Sequence, residues 1–249
     1  MKIADIKLML DRAGAEDLPL LLQRFAADHR AGVRKMIESY KNRHNRDMLE
    51  AERLDKMLFF ERKYSDRYAA ICGVDEAGAG PLAGPVVAAA VIMPAGLTIE
   101  GINDSKKISD KKREELAGQI FEAAIAYQLA FVDNDEIDEI NILQARLKAM
   151  KMAVEGLDTT PDFALVDGNA RPKLEIPLVT IEKGDSKSHT IACASILAKV
   201  ARDKLMEEYD AEWGEYGFAR HKGYGTKEHL EALKIHGLCP IHRKTFIKS

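Results

Sequence analysis

The sequence predicts an α/β fold built on a mixed sheet. Three observations carry it. Short apolar runs rich in Val, Ile, Ala and Tyr stop at Gly, Pro or Asp. Longer stretches between them place apolar residues at helical spacing. The chain has 249 residues and is 46% hydrophobic, enough for one substantial core with an appendage.

Residues 1–67 read as a helical extension. They are highly charged, with Val33, Met36, Ile37 and Tyr40, then Leu54, Met57 and Leu58, at helical spacing. The charges there are mixed in sign (Arg43, Arg46, Asp47, Glu50, Glu52, Arg53), as on a solvated helix face. A second composition begins at residue 68 and runs to 249, the expected main domain. Residues 68–74 and 85–93 form two buried strands joined by a glycine-rich loop, and 127–132 a third. Between the second and third, Ser109 is a candidate N-cap for a helix. A further helix is expected over 141–157, then two short strands over 162–166 and 177–181. A largely apolar helix over 186–209 packs on the sheet, and a helical C-terminal segment closes the chain. Five strands with helices between them indicate a mixed sheet flanked by helices.

Composition narrows the function classes. The net charge is −3 and the pI about 6.2, so the whole molecule has no general attraction for nucleic acid. Such binding would need a local basic face, for which Lys106, Lys107, Lys183, Lys187, Lys222 and Arg243 are candidates. Lys199 and Arg202 share a helix side and could pair with acids such as Glu207. Cys72, Cys193 and Cys239 fit neither a disulfide framework nor a zinc pattern, and read as reduced, buried thiols. The first residues carry acids where a signal peptide needs an apolar core, and no apolar run approaches a membrane span. A cytoplasmic protein with no membrane association is expected.

The chemistry concentrates at Asp75-Glu76 and the glycine loop that follows. Two carboxylates about 4 Å apart repel by roughly 4 kcal/mol at an effective dielectric near 20, so keeping both ionised favours a bound cation. An acidic turn is the plainer reading of the same residues. Gly78, Gly80 and Gly84 match neither the dinucleotide fingerprint nor a Walker loop. Asp167 ends another strand and Asp185 opens the long helix, where a turn and an N-cap are the ordinary alternatives. If these strand ends are neighbours, Asp75, Glu76, Asp167 and Asp185 form one cluster. Four carboxylates suit Mg²⁺ or Mn²⁺ rather than zinc, and none of the seven histidines forms an H-x-x-x-H pair. Such a site suits two-metal phosphodiester hydrolysis to a 5′-phosphate and a 3′-hydroxyl.

The segments GVDEAGAGPLAGPVV, NDSKKISDKKREEL, LVDGN, KGDSKSHTIACASILAKVARD, HKGYGTKEH and PIHRKTF follow one another across residues 68–246. In content and order they resemble the motifs of type 2 ribonuclease H (ribonuclease HII), and the N-terminal extension is similar to that of some bacterial members. The resemblance implies an RNase H-like fold. It implies a metal-dependent endoribonuclease, acting on RNA in RNA–DNA hybrids and 5′ to single ribonucleotides in duplex DNA, in primer removal and ribonucleotide excision. It makes Asp75, Glu76, Asp167 and Asp185 the catalytic, metal-binding carboxylates. Gly78, Ala79 and Gly80 would read the 2′-hydroxyl through backbone groups. Tyr224 would stack on the sugar at the RNA-to-DNA junction, with Lys106, Lys107 and Lys187 meeting substrate, in a protein acting as a monomer. One departure stands out: the family pattern at the loop is Gly-Arg-Gly, and here Ala79 replaces the arginine. Two alternatives remain open, another RNase H-fold DNA nuclease or resolvase, and a weakly catalytic hybrid-binding protein.

Overall fold

A computed structural model describes residues 1–14 and 16–247. They form two compact units, Met1–Asp55 and Lys56–Ser249. In the first, α1 (Ile3–Arg12), α2 (Asp17–Phe25) and most of α3 (Ala31–Met57) surround a small core of Ile6, Leu10, Leu18, Leu22, Val33 and Tyr40. Val33, Met36, Ile37 and Tyr40 face inward together, as their helical spacing requires, while α3 keeps its mixed charges outside.

The second unit begins with α4 (Phe59–Ser65) and holds the sheet. The strands are β1 (Ile71–Ala77), β2 (Val86–Ile92), β3 (Ala126–Val132), β4 (Phe163–Asp167) and β5 (Leu178–Ile181). Their spatial order is β3-β2-β1-β4-β5, with β2 antiparallel to β1 and β3, and β4 parallel to β1 and β5. The helices are α5 (Asp110–Ala123), α6 (Asn134–Glu155), α7 (His189–Glu212), α8 (Phe218–His221) and α9 (Lys227–His236). All seven residues of β2 are buried, as in a strand covered on both faces. One face packs on α6 through Val74, Ala88, Val86, Ala145, Ala149 and Met150. The other meets α7 so closely at Gly73 that a Cβ there would lie 2.2 Å from the Thr190 carbonyl carbon. Glycine at 73 is therefore what lets α7 rest directly on the backbone of β1.

Among the boundaries that differ from the sequence expectation, two stand out. β1 continues past Val74 to Ala77, because Asp75, Glu76 and Ala77 stay paired with Ala89, Ala88 and Val87. α6 starts seven residues before Asn141, capped by the Asp133 carboxylate accepting from Glu136 N–H, and runs across a kink at Asn141. Ser109 caps α5 as expected, accepting from Lys112 N–H. The three cysteines are free and buried. Among the described residues no helix is long and apolar enough to cross a membrane.

Candidate active site

The strand register builds the site. β1 and β4 pair in parallel with Val74 opposite Val166, and one residue further on Asp75, still within β1, and Asp167, the last residue of β4, stand at the same level. Side chains alternate along a strand, so Asp75 and Glu76 project to opposite faces of β1. Asp75 lies on the α7 side and shares the cavity lining with Ser195 of that helix. Glu76 lies on the α6 side, where Arg146 Nη2 sits 2.5 Å from its Oε1. Both still open on one cavity of about 610 Å³, because the sheet ends there.

Asp185 completes the carboxylate group by a route the sequence did not suggest. It does not open the long helix; it sits in a short 3-10 turn, Gly184–Ser186, and Ser188 caps α7 instead, accepting from Ile191 N–H. Relieved of capping, the half-buried Asp185 carboxylate lines the same cavity as Asp75, Glu76 and Asp167. Gly184 N–H donates to Asp167 Oδ1 at 2.6 Å, tying that turn to the end of β4.

Two buried arginines hold the glycine loop. Arg243 is fully buried and donates from Nε to the Gly84 carbonyl, from Nη1 to Ala79 and from Nη2 to Gly78. Arg202, 1% exposed, donates to the carbonyls of Pro85, Ala83 and Lys222. These bonds correct two sequence readings. Arg243 is not available to a basic face, and Arg202 does not pair with a helix acid: each guanidinium answers carbonyls that the tight loop leaves without strand partners. Gly78 adopts φ +93°, and a Cβ there would lie 2.2 Å from Arg202 Nε, so only glycine fits beneath that guanidinium.

The remaining sequence candidates divide by location. Gly78, Ala79, Gly80, Lys106 and Tyr224 line the cavity with the four carboxylates. The Tyr224 ring faces Gly80, where an added Cβ would lie 3.8 Å from its Cε1. Lys107 and Lys187 stand outside the lining; Lys107 pairs with Asp104 at 3.6 Å and Lys187 Nζ donates to the Glu182 carbonyl. Lys222 lines the cavity but pairs with Glu207 at 2.6 Å. Arg113, Lys199, Asp203 and Arg220 also line it and were not singled out as site residues by the sequence. Arg113 donates to the carbonyls of Ser105 and Ile108, fixing the turn that carries Lys106.

The electrostatics are those of crowded, desolvated acids. Burial first, then the charges of Glu76 and Asp167, push the Asp75 carboxyl well above its ordinary range. Glu76 rises to about 7, chiefly through burial, although Arg146 pulls it back down. Asp185 rises through burial and the neighbouring Asp104 and Asp167, with Lys106 opposing. A carboxyl whose folded pKa is raised binds its proton more tightly in the fold. Its ionisation therefore removes stability as pH climbs from the open-chain value of 4.5 towards 7. We expect the cation-free protein to lose Tm over that window, and Glu76→Gln to lose less. Equal slopes in melting curves of the two proteins would contradict the assignment.

Residues 72–249 match the family model described as ribonuclease HII, and residues 2–65 match that of the ribonuclease HII N-terminal domain. The chain belongs to the ribonuclease HII family. It is 54% identical over 221 residues to ribonuclease HII of Ruminiclostridium cellulolyticum, covering 87% of this chain and 86% of that one. It is 46% identical over 249 residues to ribonuclease HII of Lachnoclostridium phytofermentans, covering 100% of this chain and 98% of the relative. The crystal structure of ribonuclease H2 from Pyrococcus horikoshii superposes with a TM-score of 0.62 at 29% identity, over 71% of this chain and 93% of that one. The mixed five-stranded sheet with its helices is thus the RNase H-like fold expected from the motifs. Ribonuclease HII is a metal-dependent endoribonuclease acting on RNA–DNA hybrids.

The residues suit the divalent ion that ribonuclease HII requires. All four candidate donors are carboxylates, and Glu76 Oε2 is a buried acceptor with no hydrogen-bond partner. Among the described residues no three acids, histidines or cysteines are already drawn into a tight ligand set. Asp167 is engaged by Gly184 N–H and Glu76 by Arg146, and like charges with nothing between them keep apart. Arg146 is a cation on one of the ligand candidates, carried by a helix whose mixed charges do not mark it out.

Proposed function

We propose that the protein nicks duplex DNA 5′ to a single embedded ribonucleotide, and cuts the RNA strand of hybrids, leaving a 5′-phosphate and a 3′-hydroxyl. Asp75, Glu76, Asp167 and Asp185 would hold Mg²⁺ or Mn²⁺. The observation that carries this reading is the shared cavity: carboxylates, the Gly78-Ala79-Gly80 backbone and the Tyr224 ring line one space. A site that must find one 2′-hydroxyl in a duplex needs its 2′-hydroxyl reader and its hydrolytic acids in one space.

When bound, divalent cations supply the charge that polarises the phosphoryl group, activates water and stabilises the leaving oxygen. The chain's own residues do the rest. The buried strand ends exclude bulk water around Asp75, which strengthens every charge interaction there. Arg243 engages the carbonyls of Gly78 and Ala79, so the loop is presented in a fixed shape and meets the sugar without reorganising. Lys106, whose charge already acts on Glu76 and Asp185, offers a cation to a substrate phosphate at the cavity edge. Tyr224, 44% exposed, supplies a flat apolar face for the neighbouring sugar.

Ala79 is the weak point of this arrangement. Its backbone is already fixed, so a side chain added there needs no change of loop shape. A charged hydrogen bond to a phosphate contributes roughly 1.5–3 kcal/mol, about ten- to 150-fold. Ala79→Arg is therefore expected to raise kcat/KM on a single-ribonucleotide duplex by about that factor; an unchanged or lower value would show that the missing guanidinium has no role here. The function itself is tested with a DNA duplex bearing one internal ribonucleotide, beside an all-DNA control, with Mg²⁺, Mn²⁺ or EDTA. Metal-dependent nicking 5′ to the ribonucleotide alone is the expected result. Cutting of both duplexes would favour a DNA nuclease, and tight binding without nicking would favour a hybrid-binding protein.

A further inference from the structure

Three histidines that play no part in the carboxylate chemistry are buried together behind the Tyr224 loop. His221 is 8% exposed, His229 0% and His242 1%. The rings of His221 and His229 stack with centroids 4.5 Å apart. Three stacked or abutting imidazoles in a core cost desolvation unless each nitrogen has a partner. Each does.

The partners fix the tautomers. Cys239 N–H donates to His242 Nδ1 at 2.9 Å, with the Cys239 Sγ at 3.1 Å and its carbonyl at 3.2 Å beside the same nitrogen; because the Tyr224 carbonyl can only accept, the arrangement that satisfies the whole chain leaves His242 Nδ1 without a proton. The His242 proton is then on Nε2, which lies 3.0 Å from His229 Nε2 and donates to it. His229 must in turn carry its proton on Nδ1, 2.9 Å from the Tyr224 carbonyl oxygen. By the same logic Gly223 N–H donates to His221 Nδ1 at 3.2 Å, and His221 Nε2 donates to the Tyr216 carbonyl at 2.8 Å. The chain of donors thus runs in one direction only, from the Cys239 backbone through two imidazoles to the backbone of Tyr224. Burial and the adjacent ring keep His242 neutral, down to about 4, and His229 is lowered as well.

We propose that His229 and His242 are positioning residues for substrate recognition: their fixed tautomers hold the Tyr224 carbonyl and thereby set the tyrosine ring opposite Gly80. The inference rests on the reading that Tyr224 meets the substrate sugar. Tyr224 N–H is also taken, by the His221 carbonyl at 2.9 Å; Thr226 N–H donates to the Tyr224 carbonyl at 2.8 Å beside the His229 bond, and Arg202 holds the Lys222 carbonyl two residues earlier. With both backbone groups fixed, an aromatic ring that is otherwise 44% exposed has one approach to the cavity rather than many. Loss of the His229 donor leaves the Tyr224 carbonyl on the Thr226 N–H alone and loosens the ring without touching the carboxylates, so the effect falls on recognition of the duplex rather than on the hydrolytic step.

Two amide substitutions separate this role from simple packing. In His229→Asn the side-chain NH₂ takes the place of Nδ1–H and can still donate to the Tyr224 carbonyl. In His229→Gln it takes the place of Nε2 and cannot. On a single-ribonucleotide duplex, Tyr224→Ala is expected to lower kcat/KM about ten- to a hundredfold, the worth of one stacking contact. His229→Gln should approach that loss, mainly through KM, and His229→Asn should restore most of it. Adding His229→Gln to Tyr224→Ala should cost nothing more. Equal losses in the Asn and Gln variants would overturn the proposal, leaving His229 a packing residue. A Tyr224→Ala variant as active as the parent would instead overturn the role of Tyr224 on which it rests. A long-range ¹H–¹⁵N spectrum of the unaltered protein provides a check independent of any variant's folding. It should report Nδ1–H for His229 and Nε2–H for His221 and His242, and an Nε2–H tautomer at His229 would overturn the proposal.

Discussion

Asp75→Asn is expected to lower kcat on a single-ribonucleotide duplex by about a thousandfold or more, while binding of the duplex is largely kept. The charge removed is the most deeply buried of the four, 5% exposed and level with Asp167 on the next strand. A unit charge acting on a cation at about 4 Å is worth roughly 4 kcal/mol at an effective dielectric near 20, and each 1.36 kcal/mol is tenfold in rate. In the proposed reading, binding draws on the glycine loop, Lys106 and Tyr224, none of which the substitution touches. Stability should move the other way. Burial, Glu76 and Asp167 hold the Asp75 pKa well above its ordinary value, so its ionised form weighs against the fold at neutral pH and above. The cation-free Asp75→Asn protein should therefore melt at a higher temperature than the parent at pH 8, with little difference at pH 4. Robust turnover, or a Tm lowered at pH 8, would refute the role given to Asp75.

Arg243→Met is expected to damage the fold and the site together. The methionine keeps much of the buried volume and removes the donors to Gly78, Ala79 and Gly84. A buried carbonyl left without a donor costs about 1–3 kcal/mol, and water reaching the loop recovers part of it, so a loss of about 3 kcal/mol is expected. For a chain of this size that is a fall in Tm of roughly 6–12 °C. Activity should fall more than the folded fraction does, because the loop proposed to meet the 2′-hydroxyl loses its shape while the carboxylates keep theirs. Arg243→Lys, with one ammonium in place of a planar fork, should recover only part of either. A variant of normal stability with normal kcat/KM would show that the loop holds itself.

Much of the sheet was legible because its strands are continuous apolar runs, and β2 in particular was bounded to within a residue at each end. The strand ends were less so. An apolar run stops at the first charge, but a hydrogen-bonded ladder does not, and β1 carries Asp75 and Glu76 inside it because Ala88 and Ala89 continue opposite them. The same limit hid the first turns of α6, where polar residues from Asn134 onward follow the Asp133 cap. Asp185 was placed by its position before an apolar helix, yet Ser188 had the better geometry for capping, which left the aspartate to the cavity.

The arginines failed for a different reason. Charge in a sequence reads as surface, and nothing in PIHRKTF or AKVARDKLM announces a guanidinium that answers loop carbonyls contributed by residues 78–85. One signal was available: Ser195, Lys199 and Arg202 recur at helical spacing on α7, a polar stripe along its largely apolar first two-thirds, and all three line the cavity. Arg146 gave no comparable sign, since an arginine on a helix of mixed charge has many possible partners and Glu76 is one that only the sheet brings near.

The central claim is that the ends of β1 and β4 and the turn before α7 form a divalent-ion centre, and anomalous diffraction from crystals soaked in Mn²⁺ tests it most directly. The account predicts anomalous density in the cavity within bonding distance of Asp75 and of at least two among Glu76, Asp167 and Asp185. Density confined to other carboxylates, with this cavity empty at a Mn²⁺ concentration that supports nicking, would contradict it.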